Sequence, residues 1–336
     1  MRQSLDYYVK GILQRDRIVL AQAITLIEST LTADRNLALK LIDAILKHTG
    51  KSVRIGISGA PGVGKSTFIE TFGQSITGLG KKLAVLTIDP SSQRTKGSIL
   101  GDKTRMAELA TNPFAFIRPT AAADALGGVA HGTRETMLLC EAAGFDVILV
   151  ETVGVGQSEV SVKNMTDMFI LLMLAGSGDE LQGIKKGIME MADAVIITKA
   201  DGDNMSRAME AKADFQQAIH LLFSHDSGFK PKVLTASAME NRGIKETWQC
   251  VEEFLLYQRD HGVFEANRSD QNVAYFHEQF NYFLKRTIES SASLQKVQKE
   301  METQVRNQQT SPTNAALTLF ETFKESIKTI IRVSDR

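Results

Sequence analysis

The chain has 336 residues, with 39 basic and 39 acidic side chains. This balance gives no overall field for nucleic acid or an anionic membrane, and no apolar run approaches the roughly 18 residues of a membrane span. Its two cysteines, Cys140 and Cys250, are far apart in sequence, which argues against a disulfide framework or a thiolate zinc site. We expect both to be buried. The N-terminus lacks the apolar core of a secretion signal, so a cytoplasmic location is expected.

The first 50 residues have the periodicity of amphipathic helices. Apolar residues recur on one face at Leu20, Ile24, Ile27 and Leu31, and on another at Leu37, Leu41 and Ile45. Such a stripe is more often core than partner surface. The pattern therefore predicts a helical N-terminal segment, residues 1–50, that packs on the main domain.

A glycine-rich run follows the apolar stretch 53–58 and fits the pattern G-x-x-x-x-G-K-[ST]. The run consists of Gly59, Ala60, Pro61, Gly62, Val63, Gly64, Lys65, Ser66 and Thr67. Glycines allow consecutive backbone N–H groups to surround phosphate oxygens, and the following helix directs the positive end of its dipole at the anion. The run predicts a phosphate-binding loop in which Lys65 contacts the β- and γ-phosphates and Ser66 ligates Mg²⁺.

Short β-branched runs alternate with helical patterns from residue 51 to 262, which predicts an α/β domain built on a mainly parallel sheet. The predicted strands are 53–58, 83–88, 114–117, 146–151, 168–174, 194–198 and 232–236. The predicted helices fall near 66–78, 102–111, 131–144, 180–192, 204–224 and 243–260.

Two acids stand at the ends of predicted strands, where a phosphate-binding protein needs ligands for Mg²⁺ and water. Asp89 follows the strand 83–88, and Glu151 ends the strand 146–151, three residues before Gly154. The backbone N–H of a glycine in this place can sense the γ-phosphate. Because Glu151 stands where aspartate is usual, contact with Mg²⁺ through a water is an alternative to direct ligation.

The segment 97–106 contains glycine and serine together with Asp102 and Arg105. Asp102 is a candidate Mg²⁺ ligand, and Arg105 is a candidate partner for phosphate. This composition favours a switch loop over a plain linker.

The strand predicted at 194–198 leads into Thr198, Lys199, Ala200 and Asp201, which resembles the guanine motif N-K-x-D. An aspartate accepts hydrogen bonds from guanine N1–H and the exocyclic amine, a pattern that adenine does not offer. Threonine replaces asparagine, yet Lys199 and Asp201 keep GTP favoured over ATP. Ser237 and Ala238, after the next strand, are expected to support the guanine oxygen through the backbone.

Strand patterns stop after residue 262, and apolar residues at helical spacing continue in a polar background. We therefore predict a helical C-terminal extension, residues 263–336, broken near Ser311 and Pro312. Its aromatic stripe includes Phe276, Phe280 and Phe283. Packing on the core and formation of a subunit interface are left as equal alternatives.

Residues from about 17 to 260 resemble the MeaB/ArgK-type GTPases associated with methylmalonyl-CoA mutase, within the SIMIBI class of P-loop proteins. The matching runs are 59–67, 89–92, 97–106, 139–141, 151–159 and 178–187. This resemblance implies a homodimeric GTPase chaperone whose C-terminal helices contribute to dimerisation. It implies that the protein gates adenosylcobalamin delivery to the mutase and protects the mutase from inactivation.

The resemblance also assigns roles to individual residues. It implies phosphate and Mg²⁺ contacts for Lys65 and Ser66, a Mg²⁺ and water network for Asp89, Asp102 and Glu151, and guanine contacts for Lys199 and Asp201. The run 178–187 is similar to an additional switch of the family, with Gln182 and Lys185 as couplers to the mutase. Val155 stands where some GTPases have a water-orienting glutamine, which predicts slow intrinsic hydrolysis.

Two alternatives are weighed against this interpretation. A nickel-type metallochaperone GTPase would have a His-rich tract or a Cys-His site, whereas the six histidines are scattered. A kinase or ATPase linked to lysine/arginine/ornithine transport would need signatures, such as L-S-G-G-Q or H-R-D with D-F-G, that the sequence lacks.

Overall fold

The structure is a computed structural model that describes residues 2–89, 106–121, 128–152, 158–175, 186–222 and 228–334. Its strands are β1 (Val53–Gly59), β2 (Leu83–Asp89), β3 (Ala115–Ala121), β4 (Val147–Glu151), β5 (Met168–Leu174), β6 (Ala194–Thr198) and β7 (Lys232–Thr235). Its helices are α1 (Leu5–Leu13), α2 (Arg17–Glu28), α3 (Thr32–Ile45), α4 (Lys65–Gly78), α5 (Ala107–Thr111), α6 (Gly128–Ala142), α7 (Ser158–Lys163), α8 (Lys186–Met191), α9 (Met205–Leu222), α10 (Ile244–Asp260), α11 (Val263–Ser290), α12 (Ala292–Arg306) and α13 (Pro312–Ser334).

The seven strands form one sheet in the order β3-β2-β4-β1-β5-β6-β7, and every pair of neighbours is parallel. The predicted parallel α/β sheet is confirmed. The strand β1 lies between β4 and β5, so the chain builds one half of the sheet with β2 and β3 and the other half with β6 and β7. Ligands of such sheets bind beyond the carboxyl ends of the strands, at the point where the strand order reverses.

Apolar side chains of β2, β4, β5 and β6 alternate between two buried clusters, one on each face of the sheet. In β2, Ala84 and Leu86 belong to the first cluster, and Leu83 and Val85 belong to the second. Helices α4 and α10 cover the second face, where Phe72 packs against other buried side chains of the two helices. This coverage explains why the strands read as nearly continuous apolar runs. Cys140 and Cys250 are both buried, as expected.

The N-terminal helices α1–α3 pack together and contact α6, so the predicted helical prefix forms part of the first cluster. Leu20, Ile24 and Leu41 are fully buried. The prediction was wrong for Leu31, whose side chain is 63% exposed. Leu31 precedes α3 as its N-cap residue in extended backbone, so it does not continue the face of α2.

Opposite the carboxyl ends of the strands, buried ion pairs hold the start of β1. The guanidinium of Arg268, on α11, donates to both carboxylate oxygens of Asp167 at 2.7 Å and to the carbonyl oxygen of Ser52 at 2.6 Å. The same carboxylate accepts from the backbone N–H of Arg54 at 2.7 Å, and the Arg54 side chain pairs with Glu141 at 2.8 Å. Charges buried this deeply are stabilising only when all partners are present.

The chain divides into two compact units, Met1–Gln271 and Asn272–Arg336, with the boundary inside α11. In the second unit α12 contacts α13, and Leu294 and Phe323 are buried. The break expected near Ser311 and Pro312 is confirmed, because α13 begins at Pro312. The division into segments 1–50, 51–262 and 263–336 stays a prediction.

Two features of the secondary structure were not predicted. The short helix α7 follows β4, and the C-terminal extension has a further break at Ser291, whose hydroxyl accepts from the backbone N–H of Leu294. Among the described residues, no helix is both long and apolar enough to cross a membrane.

Replacing Arg268 with alanine should lower the free energy of unfolding by about 3 kcal/mol, because the buried carboxylate of Asp167 loses its charged partner. The exposed Lys245→Ala on α10 is the matched control and should change stability by less than about 0.5 kcal/mol. Urea-induced unfolding measures both. Equal losses for the two variants would contradict a structural role for the Arg268–Asp167 pair.

Candidate nucleotide-binding site

The loop between β1 and α4 is shaped by close contacts at its glycines. A Cβ on Gly59 would lie 2.6 Å from the carbonyl oxygen of Leu172 on β5, so a larger residue would push the loop away from the sheet. Gly64 has a φ of +92° directly before the first residue of α4, a backbone conformation that side chains disfavour. The glycines thus bring the N-terminus of α4 to the carboxyl end of the central strand.

Lys65 directs its ammonium back over this loop. Its Nζ donates to the carbonyl oxygens of Gly59 at 2.7 Å and Ala60 at 3.2 Å. Burial lowers the pKa of Lys65 below its ordinary value, while the negative charges of Glu151 and Glu159 act in the opposite direction. The group is therefore a cation held at the loop, within reach of any anion that the loop binds.

Ser66 and Glu151 come together because β1 and β4 are neighbours in the sheet. Ile57 pairs with Glu151 across the ladder, and the Ser66 hydroxyl donates to Glu151 Oε1 at 3.2 Å. Hydroxyl and carboxylate oxygens are the hard donors that Mg²⁺ prefers. The described residues therefore fit one side of a magnesium site.

The other predicted Mg²⁺ ligands have less structural description. Asp89 ends β2, where its backbone pairs with Ala121, and its side chain lies outside the description. Asp102, Gly154, Gln182 and Lys185 lie outside the described residues altogether, as does Val155.

Thr198 joins the predicted guanine motif to the predicted phosphate-binding loop. Its buried hydroxyl lies 2.7 Å from the carbonyl oxygen of Val63 in the loop and 3.1 Å from that of Met173 on β5. Asparagine is usual at this position of the motif, and in this chain a threonine hydroxyl makes the contact to the loop. The sequence showed the substitution but not this contact.

Lys199 and Asp201 follow at the carboxyl end of β6. Lys199 has a φ of +54°. Its Cε lies 3.7 Å from the position that a Cβ on Gly64 would occupy, so the aliphatic part of the side chain runs beside the loop. The Ser237 hydroxyl donates to Asp201 Oδ2 at 2.5 Å. Ser237 therefore positions the carboxylate with its side chain, a contact that the sequence prediction, which gave it a backbone role, did not include.

The segment that contains Ala238 is held from both sides. The Thr71 hydroxyl on α4 donates to the carbonyl oxygen of Ala238 at 3.2 Å, and the Ala200 N–H donates to that of Ala236 at 3.1 Å. Hydrogen bonds thus connect the loop after β7 to the loop after β6 and to α4. Thr67, in the first turn of α4, is exposed.

Three buried polar residues next to the loop were missing from the predicted site. The Thr152 hydroxyl donates to Ser58 Oγ at 2.8 Å, and Ser58 Oγ lies 3.5 Å from Glu159 Oε1. Ser58 immediately precedes Gly59, and polar residues at the end of an otherwise apolar strand were the available signal. Nothing in the sequence indicated that Glu159 would be buried against them.

Known proteins resemble this chain over most of its length. A family model described as "Methylmalonyl Co-A mutase-associated GTPase MeaB" matches residues 20–292. A Mycobacterium tuberculosis protein named "Probable GTPase" is 48% identical over 318 residues, covering 95% of each chain. The mouse "Methylmalonic aciduria type A homolog, mitochondrial" is 42% identical over 336 residues, covering 96% of this chain and 80% of the relative.

A solved structure described as "LAO/AO transport system kinase" is also similar. It superposes with a TM-score of 0.77 at 36% identity, covering 96% of this chain and 99% of the other. The fold described above is therefore shared over nearly the whole length of both chains.

Replacing Thr198 with valine should weaken GDP binding about fivefold, because the Val63 carbonyl loses a buried hydrogen bond that holds the loop to the guanine motif. Thr198→Ser keeps the hydroxyl and should bind GDP within about twofold of the wild type. Equilibrium titration with a fluorescent GDP analogue measures both variants. Wild-type affinity in Thr198→Val would show that the tie does not shape the site.

Proposed function

Because the chain belongs to the family of methylmalonyl-CoA mutase-associated GTPases named MeaB, we propose that it is a Mg²⁺-dependent GTPase chaperone of an adenosylcobalamin-dependent methylmalonyl-CoA mutase. It gates cofactor loading and protects the mutase. The observation that carries the proposal is the hydrogen bond from Thr198 to Val63, which joins a phosphate-binding loop to a guanine-type motif. The loop that binds the phosphates of GTP and the motif that binds its base are therefore joined by a hydrogen bond.

Different residues of the chain bind the phosphates and the guanine base. The backbone N–H groups between Gly59 and Gly64, which exclude Pro61, and the Lys65 ammonium hold the β- and γ-phosphates. They stabilise the negative charge that develops during transfer of the γ-phosphate to water. Asp201, fixed by Ser237, accepts from guanine N1–H and the exocyclic amine. Its carboxylate offers no donor for adenine N1, so GTP is selected over ATP.

Ser66 and Glu151 would hold Mg²⁺, with Asp89 and Asp102 completing the site. The bound ion supplies charge neutralisation at the phosphate oxygens. The hydrogen bond from the Ser66 hydroxyl to Glu151 supports the first two ligands. Gly154 is proposed to sense the γ-phosphate through its backbone N–H.

The proposed partner is a methylmalonyl-CoA mutase. The family description and the name of the mouse relative support a connection with methylmalonyl-CoA metabolism. Gln182 and Lys185 are the proposed couplers between the nucleotide and the mutase.

Self-association is proposed for the second unit taken by itself. Phe276, Phe280 and Phe283, spaced as one face of α11, are each more than 40% exposed. An apolar stripe of this kind is typical of a surface that another protein chain covers. A homodimer formed through the C-terminal helices accounts for it.

A second candidate is phosphoryl transfer in amino-acid transport, because the solved relative at 36% identity is described as a transport system kinase. That function would put the γ-phosphate of GTP on a protein. A GTPase chaperone would instead release the γ-phosphate as free phosphate. GTP labelled at the γ-phosphate distinguishes the two functions, because the label is found on a protein in the first case and in solution in the second.

Purified protein should hydrolyse GTP slowly, and methylmalonyl-CoA mutase should accelerate the reaction. Lys65→Ala should reduce turnover at least 100-fold, because the phosphates lose their cation. Lys185→Ala should keep the basal rate and lose the stimulation. Release of free phosphate, with ATP as the comparison substrate, measures all three proteins.

Equal turnover of ATP and GTP, with no effect of the mutase on either, would contradict the proposed function. Full stimulation of Lys185→Ala would remove only the coupling role of the 178–187 segment.

A further inference from the structure

Arg242 lies in the short loop between β7 and α10 and reaches the predicted guanine motif. Its guanidinium Nη2 donates to the carbonyl oxygen of Ala200 at 2.6 Å. Ala200 stands between Lys199 and Asp201, the two residues proposed to contact the base. Arg242 therefore contacts the backbone of the motif, and any effect that it has on the base passes through this backbone.

The backbone of Ala200 is hydrogen-bonded on both of its polar groups. The residue is 1% exposed, so these groups need partners within the protein. The N–H donates to the Ala236 carbonyl oxygen at 3.1 Å, and the carbonyl oxygen accepts from Arg242. Because the carbonyl group of Ala200 and the N–H of Asp201 belong to one planar peptide unit, the bond from Arg242 fixes the plane from which Asp201 extends.

The loop that carries Arg242 is closed by a pair of backbone hydrogen bonds. The N–H of Ser237 donates to the Arg242 carbonyl oxygen at 2.9 Å, and the N–H of Arg242 donates to the Ser237 carbonyl oxygen at 3.0 Å. The next residue, Gly243, has a φ of +75°, and a Cβ there would overlap the carbonyl oxygen of Thr235. The loop therefore lies against the end of β7, and the backbone of Arg242 has a fixed position.

Ser237 and Arg242, which are paired across this loop, hold the motif at two different points. The Ser237 hydroxyl donates to Asp201 Oδ2 and accepts from the backbone N–H of Glu240 at 3.1 Å. Arg242 acts one residue earlier, on the carbonyl group of Ala200. The first contact fixes one oxygen of the carboxylate, and the second fixes the backbone from which the side chain starts.

We propose that Arg242 is a positioning residue for guanine selection, which holds the Asp201 carboxylate where it accepts from guanine N1–H and from the exocyclic amine together. Two hydrogen bonds to one rigid base tolerate little displacement, because each weakens steeply with distance and angle. Arg242 leaves the phosphate contacts unchanged. The inference rests on GTP binding as given under the proposed function.

The test compares the affinity of the full chain for GDP with its affinity for inosine diphosphate, which has the N1–H but lacks the exocyclic amine. The wild-type protein should prefer GDP about tenfold or more, because inosine diphosphate offers Asp201 one hydrogen bond fewer. Arg242→Met removes the donor and should reduce this preference about fivefold, mainly through weaker GDP binding. Competition with a fluorescent GDP analogue measures both affinities.

Three further measurements separate positioning from other effects. Arg207→Met removes an exposed arginine of α9, as the control for the lost charge, and should keep the preference within about twofold of the wild type. Arg242→Lys keeps a cationic donor for the bond to Ala200 and should retain most of the preference. In Arg242→Met the KM for GTP should rise while kcat stays within about twofold, because an interaction with the base is lost and none with the phosphates.

A merely structural role for Arg242 predicts equal weakening of GDP and inosine diphosphate. An unchanged preference in Arg242→Met, at any melting temperature, would therefore overturn the inference, and the proposed function would stand on the preference of the wild type. A wild-type protein that binds GDP and inosine diphosphate equally well, or binds neither, would overturn guanine recognition by Asp201 and with it the proposed function.

Discussion

The nucleotide site depends on the central position of β1 in a parallel sheet. The strand β1 lies between β4, which ends in Glu151, and β5. The strand β6, which ends in Thr198, pairs with the other side of β5. The loop after β1 therefore contacts both the proposed Mg²⁺ ligand Glu151 and the proposed guanine motif at Thr198. The Thr198 hydroxyl donates a hydrogen bond to the Val63 carbonyl, so the proposed phosphate-binding loop and the proposed guanine motif are directly bonded.

The opposite end of β1 is fixed by charge. Asp167 accepts hydrogen bonds from the Arg54 backbone and from Arg268, and Glu141 accepts from the Arg54 side chain and the Gly50 N–H. Both carboxylates are satisfied by several donors, which is the condition under which buried charges are tolerated. A strand anchored in this way can present its other end as a rigid platform.

The sequence predicted the sheet well because β2, β4, β5 and β6 have buried apolar residues on both faces and therefore appear as apolar runs. It also singled out Lys65, Ser66, Thr198 and Asp201, whose roles stay predictions, and the structure places these four residues at the same edge of the sheet. It could not show that Ser237 would position Asp201, because the two residues belong to different loops that meet only in the folded sheet. Leu31 was misassigned for a local reason, as periodicity does not reveal where one helix ends and the next begins. Glu159 lacked any signal, because a buried acid looks like an exposed one until its neighbours are known.

The central claim is that the nucleotide state of the loop is communicated to a methylmalonyl-CoA mutase. The most direct measurement is the affinity of the full chain for the purified mutase, with a non-hydrolysable GTP analogue, with GDP and without nucleotide. A linked system must bind its partner with different affinities in different states. We predict at least a tenfold difference in Kd between two of the three conditions. The same Kd in all three, or no binding in any, would contradict the account.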